Sequence, residues 1–238
     1  MALLDGKHVV VLGGAGGIGR ALVAGLLAEG ARASVLDLEA SLARHPVAPG
    51  VRAHAVDATD EASLARAADG IGAIDGFVNL AGFVIDTRTL GDTPTAEFDA
   101  TIAGNLKAAF LAAKTFVPRL GDGGTFVNTA SGLAANHRAG YGPYAASKAA
   151  IISFTKTLAL EYAPRVRVNC VAPGAVDTAF LRGGTGRSDE ARAPHLDIAA
   201  YTAAIPLKRF AVAEDVIGPI LFLLGRDEPP RADEWRAA

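Results

Sequence analysis

The segment that most restricts the fold is His8-Val9-Val10-Val11-Leu12, followed at once by Gly13-Gly14-Ala15-Gly16-Gly17-Ile18-Gly19. A β-branched apolar run that ends on glycine reads as a buried strand. The glycines then permit a tight turn and a close approach of backbone to a ligand. From Gly17 the period changes: Ile18, Leu22, Leu26 and Leu27 fall on one helical face that ends near Gly30. Strand, glycine turn and helix N-terminus together make an anion site, because free N–H groups and the helix dipole meet there. With that context on both sides, the glycine motif points to the diphosphate of a dinucleotide.

Asp37 extends this reading. It closes a second apolar strand, Ala33-Ser34-Val35-Leu36, eighteen residues after Gly19. A carboxylate there can accept from adenosine ribose hydroxyls and repel a 2′-phosphate, which favours NAD over NADP. The alternative use of Asp37 is to cap a helix beginning near Glu39. No Arg or Lys adjoins Asp37, and Gly16 rather than a base precedes Gly17.

Strand and helix patterns alternate along the rest of the chain. Strands are predicted at 8–12, 33–37, 51–56, 74–79, 124–130 and 166–171, and helices at 17–29, 60–69, 95–119, 142–163 and 213–224, with a short one at 39–44. Such alternation predicts an α/β fold: a doubly wound parallel sheet with helices on both faces and ligands at the carboxyl ends of the strands. The 238 residues, 50% of them hydrophobic, suffice for one large core, so a single domain over 1–238 is expected. A polar, glycine-rich stretch from Arg182 to Glu190 lies in a predicted mobile loop over 179–200, read either as a lid over substrate or as surface flexibility.

Composition excludes other classes. A net charge of −2 offers no electrostatic case for nucleic acid or an anionic membrane. No apolar run reaches the ~18 residues that span a bilayer. The N-terminus lacks the layout of a signal peptide. The single cysteine, Cys170, has no partner in the chain and no ligand cluster, and its apolar neighbours predict a buried thiol. A cytoplasmic setting and no metal are therefore expected.

The chemistry is expected around Tyr144 and Lys148, four apart in Pro143-Tyr144-Ala145-Ala146-Ser147-Lys148, with Ser131 thirteen residues before the tyrosine. On a helix, i and i+4 share a face. A cation beside a phenol favours phenolate and lowers a pKa that is ordinarily about 10. The pair would then trade a proton with an alcohol or a carbonyl. Taken alone, a Tyr-x-x-x-Lys spacing also describes a surface tyrosine and a solvated lysine.

The motifs in this order resemble the short-chain dehydrogenase/reductase family, from about Leu4 to Gly225, and the fold that the resemblance implies is of Rossmann type. The family's glycine motif is matched by Gly13, Gly17 and Gly19. Its sheet-supporting Asn-Asn-Ala-Gly is matched by Asn79-Leu80-Ala81-Gly82, and its tetrad by Asn105, Ser131, Tyr144 and Lys148. Its Pro-Gly segment is similar to Pro173-Gly174, with Val176 and Thr178 after it, and Asp57 in Val56-Asp57-Ala58-Thr59 resembles the residue that meets adenine. The resemblance implies catalysis by Asn105, Ser131, Tyr144 and Lys148. It implies an NAD site formed by Gly13, Gly16, Gly17, Ile18, Gly19, Asp37, Leu38, Asp57, Ala58, Asn79, Ala81, Gly82, Tyr144, Lys148, Pro173, Gly174, Val176 and Thr178.

The implied reaction interconverts a secondary alcohol and a ketone. Tyr144 would be the general acid/base, Ser131 would hold the substrate oxygen, Lys148 would depress the tyrosine pKa, and Asn105 would anchor a water leading to solvent. Alternatives are an NADPH-dependent carbonyl reductase and a non-catalytic cofactor-bound scaffold or sensor. Residues Phe83, Val84, Ile85, Leu133, His137, Tyr141, Phe180 and Leu181 are candidates for the substrate pocket, and Arg138 for recognition of a polar group. Two departures stand out: Leu12 occupies a position where the family has Thr, and the tail 226–238 is charged, carries two prolines and lacks a β-branched run. Six strands are expected, without the family's seventh. A homodimer is expected through the 95–119 and 142–163 helices.

Overall fold

The computed structural model describes residues 2–194 and 196–225. Its frame is a six-stranded, wholly parallel sheet in the order β3-β2-β1-β4-β5-β6. The strands are β1 His8–Leu12, β2 Arg32–Asp37, β3 Arg52–Ala55, β4 Ile74–Asn79, β5 Leu120–Thr129 and β6 Val166–Val171. The helices are α1 Gly17–Ala28, α2 Glu39–Arg44, α3 Glu61–Ile71, α4 Thr95–Ile102, α5 Ala108–Phe116, α6 Gly142–Tyr162, α7 Ile198–Ala204 and α8 Ala213–Gly225. The expected tail without a seventh strand, 226–238, lies outside the described residues. Among those described, β6 pairs only with β5.

The β1 sequence shows how the two-residue period of a strand builds a three-layer molecule. Val9 and Val11 face one way, into a core with Leu22 and Leu26 of α1 and Ile220 and Leu223 of α8. Val10 and Leu12 face the other way, with Leu64 of α3, Leu111 and Phe116 of α5 and Leu158 of α6. Phe77 of β4 centres that second layer, its ring 4.5 Å from Phe116 and 5.0 Å from Phe126. Leu12, at the position where the resemblance implied Thr, is only 2% exposed and packs in this layer. Strand order reverses between β1 and β4, so the loops after these strands part and leave a crevice at their carboxyl ends.

One predicted helix differs from the expectation and one helix is additional to it. The helix over 95–119 is not continuous: α4 gives way to a π-helical turn at Ala103–Lys107 before α5, and Pro118 ends the run in a 3₁₀ turn, Val117–Arg119. Both flanks keep a helical period and the π turn is only five residues long, so the sequence pattern reads the run as one helix. α7 was not anticipated; its capping residue Asp197 accepts from Ala200 N at 2.9 Å, a signal buried in a polar stretch. No helix among the described residues is long and apolar enough to cross a membrane.

Candidate active site

The crevice is a cleft of about 510 Å³, lined from end to end by the loops that follow β1 to β6. That volume is in the range of small-molecule and cofactor sites. Its floor begins at the glycine turn. Gly13 has φ +82°, and a Cβ there would lie 2.9 Å from the Leu80 carbonyl carbon of the neighbouring strand end. A Cβ on Gly19 would lie 2.2 Å from Gly13 O, so the turn and the first helical turn are in backbone contact. α1 starts with no side-chain cap and no acidic residue in its first turn, which leaves its N-terminal amides to the cleft.

Asp37 sits at the end of β2, and its carboxylate organises the same turn. Oδ2 accepts from Ala15 N at 2.9 Å and Oδ1 from Leu38 N at 2.8 Å. Burial pushes its pKa up, against the pull of these bonds. α2 begins without a side-chain cap, so capping is not the role Asp37 plays. At the end of β3, Asp57 accepts from Thr59 N at 2.8 Å and Thr59 Oγ1 at 2.7 Å. Asp60 rather than Asp57 caps α3, accepting from Ala62 N. Asp57 and Ala58 line the cleft beside Asp37 and Leu38.

The other end of the cleft gathers Ser131, Tyr144 and Lys148, which are 8%, 7% and 3% exposed. Tyr144 and Lys148 lie one turn apart on α6, which opens with Pro143 in its first turn. Lys148 Nζ donates to Thr129 O at 3.0 Å and lies 5.7 Å from the Tyr144 ring centre. Ser131 Oγ accepts from Leu133 N, opening a 3₁₀ turn after β5. Burial pushes the Tyr144 phenol up to about 12, with the Ser131 hydroxyl pulling the other way. Burial likewise brings Lys148 down to about 8. The expectation that Lys148 depresses the tyrosine is therefore corrected for the protein alone: desolvation outweighs any help from an ammonium itself weakened by burial.

Two predicted site residues stand behind the cleft rather than on its wall. Asn105 is fully buried inside the π turn, where Nδ2 donates to Phe83 O and Thr101 O, both at 3.0 Å, and Oδ1 accepts from Phe83 N at 3.2 Å. It pins the loop after β4. A Cβ on Gly82 of that loop would come 2.4 Å from Asn105 Oδ1 and 3.3 Å from Lys148 Nζ. Asn79, 2% exposed, donates to Asn128 Oδ1 at 3.2 Å and accepts from Ala81 N. Asn128 in turn donates to Thr155 Oγ1 of α6 at 3.0 Å. This buried amide chain locks the ends of β4 and β5 to the helix that carries Tyr144.

The remaining predicted residues, Gly13, Gly16, Gly17, Ile18, Gly19, Ala81, Gly82, Pro173, Gly174, Val176 and Thr178, all line the cleft. Of the pocket candidates, Phe83, Val84, Leu133, Arg138, Tyr141, Phe180 and Leu181 do so, whereas Ile85 and His137 do not. Cys170 is half-buried rather than buried, with burial pushing its thiol up. Sequence reasoning missed Asn128, Tyr201 and Arg187. Asn128 alone had a signal, an amide in an apolar strand. Tyr201 on α7 accepts from Ala175 N at 3.3 Å, and its ring carries the Arg138 guanidinium at 4.7 Å. The cleft suits a dinucleotide: uncapped helix amides for a diphosphate, Asp37 at one end for ribose hydroxyls, and an apolar wall of Ile18, Val176 and Pro173. Among the described residues no group of three or more His, Cys, Asp or Glu is placed to hold a metal.

Comparison with known proteins agrees with this geometry. The family model described as short chain dehydrogenase matches residues 7–186. The chain is 33% identical over 233 residues to a sorbitol dehydrogenase of Cereibacter sphaeroides, covering 92% of this chain and 91% of that one. It is 32% identical over 236 residues to a levodione reductase of Leifsonia aquatica, covering 93% and 88%. A short chain dehydrogenase from Burkholderia cenocepacia J2315, solved in complex with NADP, superposes with a TM-score of 0.79 at 31% identity, over 94% of this chain and 92% of that one.

Proposed function

The chain belongs to the short-chain dehydrogenase/reductase family, and from that premise we propose that it interconverts a secondary alcohol and a ketone with NAD(H). The observation that carries this reading is that Ser131, Tyr144 and Lys148 converge, largely buried, on the cleft that the glycine turn and Asp37 also line. A binding scaffold has no use for a proton relay at the end of a dinucleotide cleft.

The bound cofactor supplies the hydride chemistry. The protein positions groups and moves a proton. Ser131 Oγ holds the substrate oxygen. In the reductive direction the Tyr144 hydroxyl, kept protonated by burial, gives its proton to the carbonyl oxygen. In the oxidative direction the phenolate takes the alcohol proton, and any positive charge brought into the cleft lowers its pKa. Lys148 Nζ, held in place by its bond to Thr129 O, would hold ribose hydroxyls of a bound cofactor. Asn105 acts through Phe83 and Gly82, by holding their loop against Lys148.

NAD rather than NADP is supported by the Asp37 carboxylate, which would face a 2′-phosphate with both oxygens engaged. NADP(H) is the second reading, favoured by Arg20, whose Nη1 donates to Ala15 O at 2.6 Å within the same turn. Fluorescence titration of both reduced cofactors separates the two: NADH is expected to bind at least about tenfold more tightly, since a like-charge clash costs on the order of 1–2 kcal/mol at partly exposed sites. Tighter NADPH binding would overturn the NAD assignment. Tyr144→Phe tests the mechanism. General acid/base assistance is worth about 10²–10⁴-fold, so turnover should fall by at least ~10² with NADH binding retained. Turnover close to wild type would remove Tyr144 from the reaction.

A further inference from the structure

The segment from Gly183 to Glu190 crosses the cleft and is tied down on its far side. Ser41 Oγ of α2 donates to Thr185 O at 3.0 Å, and Arg44 Nη1 donates to Ser188 O at 3.1 Å. Glu190 closes the strap against the end of α2, 3.4 Å from Arg44 Nη1 and 3.1 Å from His45 Nε2. Gly186 lies so close to α2 that a Cβ there would stand 2.7 Å from Ser41 N. Ser188 Oγ donates to Arg182 O at 2.7 Å and holds the near end of the strap.

This anchoring points one side chain over the cleft. The Arg187 guanidinium carbon is 4.0 Å from the centre of the Phe83 ring, which follows β4. Asp57, which follows β3, is held below the usual carboxylate range chiefly by Thr59, with Arg187 contributing. In the sheet, β2 and β1 lie between β3 and β4. The loops of β2 and β1 open into the cleft between those of β3 and β4, and Arg187 lines that cleft together with Gly13, Gly16 and Gly17 of the β1 loop. Its neighbours are paired, Arg182 with Asp177 and Arg192 with Asp86, whereas Arg187 forms no ion pair among the described residues.

We propose that Arg187, carried across the cleft by this strap, is a cationic group of the diphosphate site and complements the uncapped N-terminus of α1. The inference rests on the dinucleotide reading above. A guanidinium is the side chain best matched to phosphate oxygens, through its planar set of donors. The arrangement also explains why the strap is latched to α2: the strap sets the cation over the turn, and the latch sets the strap.

Binding measurements test this without catalysis. NADH, NADPH, ADP and adenosine are titrated by calorimetry or fluorescence against wild type and Arg187→Ala. Charge-assisted bonds to a phosphate imply a loss of about tenfold or more for NADH and ADP. Adenosine, which lacks phosphate, should bind both proteins alike, and Arg187→Lys should restore part of the ADP affinity. Unchanged ADP affinity in Arg187→Ala overturns the proposal while the cofactor reading stands. An equal loss for adenosine, or a loss confined to NADPH, also overturns it, the first showing a merely structural role and the second a 2′-phosphate contact. No saturable binding of NADH or NADPH by wild type removes the parent reading and this inference together. Glu190→Gln loosens the latch while keeping the Arg187 side chain itself. It should weaken ADP by a smaller, phosphate-dependent factor, and if Arg187→Ala fails to fold, wild-type ADP affinity in Glu190→Gln overturns the proposal.

Discussion

Lys148 is 3% exposed and shares its pocket with a phenol, so its charge is carried at a cost that water would otherwise remove. Its pKa falls from 10.5 to about 8 on burial. A depressed amine pKa penalises folding fully below the folded value, and the penalty fades as pH rises toward the unfolded value. At about 1.4 kcal/mol per unit the penalty is roughly 3 kcal/mol at pH 7, less what the bond to Thr129 O returns. Lys148→Met is therefore expected to be inactive yet more stable than wild type at pH 7 by about 1–3 kcal/mol. The advantage should shrink between pH 8 and pH 10.5, as read by urea unfolding across that range. Equal or lower stability of the variant at pH 7 would show that the amine is better solvated than its burial implies. Tyr144, pushed up to about 12, has the opposite sign: it is neutral in both states below pH 10 and destabilises the fold only above that. For catalysis, its phenolate fraction grows tenfold per pH unit below its pKa. Alcohol oxidation should thus rise from pH 6 to 9 while ketone reduction does not, and a pH-independent oxidation rate would exclude Tyr144 as the base.

Each element brings its site residues in by a local device. The glycine turn closes because no Cβ intrudes: Gly19→Ala would set a methyl 2.2 Å from Gly13 O, backbone against backbone, with nothing flexible to give way. NADH affinity is expected to fall by more than about tenfold, measured by titration alongside circular dichroism to confirm that the sheet persists. The π turn places Asn105 deep enough to bond both the N–H and the C=O of Phe83, which an α-helical residue on the same face would have to reach from a different angle. The amides of Asn79 and Asn128 form a chain with Thr155, and each member's removal strands a buried partner. Asn128→Ala is expected to cost about 2–4 kcal/mol in thermal or urea unfolding. A change under 1 kcal/mol would mean that the chain is not a stabilising network.

At the scale of the molecule, the strand order sets the cleft and the helices flanking it set the surface. α5 and α6 present Phe110, 46% exposed, beside Phe154, with ring centres 6.3 Å apart. Phe110 is exposed while Phe154 is half-buried against the core, so the seam between the two helices is apolar at its outer edge. We propose that the chain forms a homodimer through these helices. Light scattering over a range of concentrations should give twice the chain mass, and Phe110→Asp should give the monomer. A wild type that stays monomeric throughout overturns the proposal.

Local pattern alone gave the βα alternation, the parallel sheet, the glycine turn and the place of Asp37 at a strand end, because each depends on a period or spacing within a few residues of chain; the reading of Ser131, Tyr144 and Lys148 as a site needed the family resemblance as well. The resemblance also supplied Asn105 and Asn79, and in the folded molecule both stand behind the wall of the cleft, bonded to backbone and to a buried amide. Four things were left to the tertiary structure: the π turn, helix α7, the strap that brings Arg187 to the cleft, and the direction in which burial pushes the tyrosine and lysine pKa values. They share one physical cause. Each depends on what packs against a residue from a distant part of the chain, Phe83 against Asn105 and Arg187, or α2 against Thr185. Desolvation and contact across 20 to more than 140 positions leave no trace in the order of neighbouring side chains.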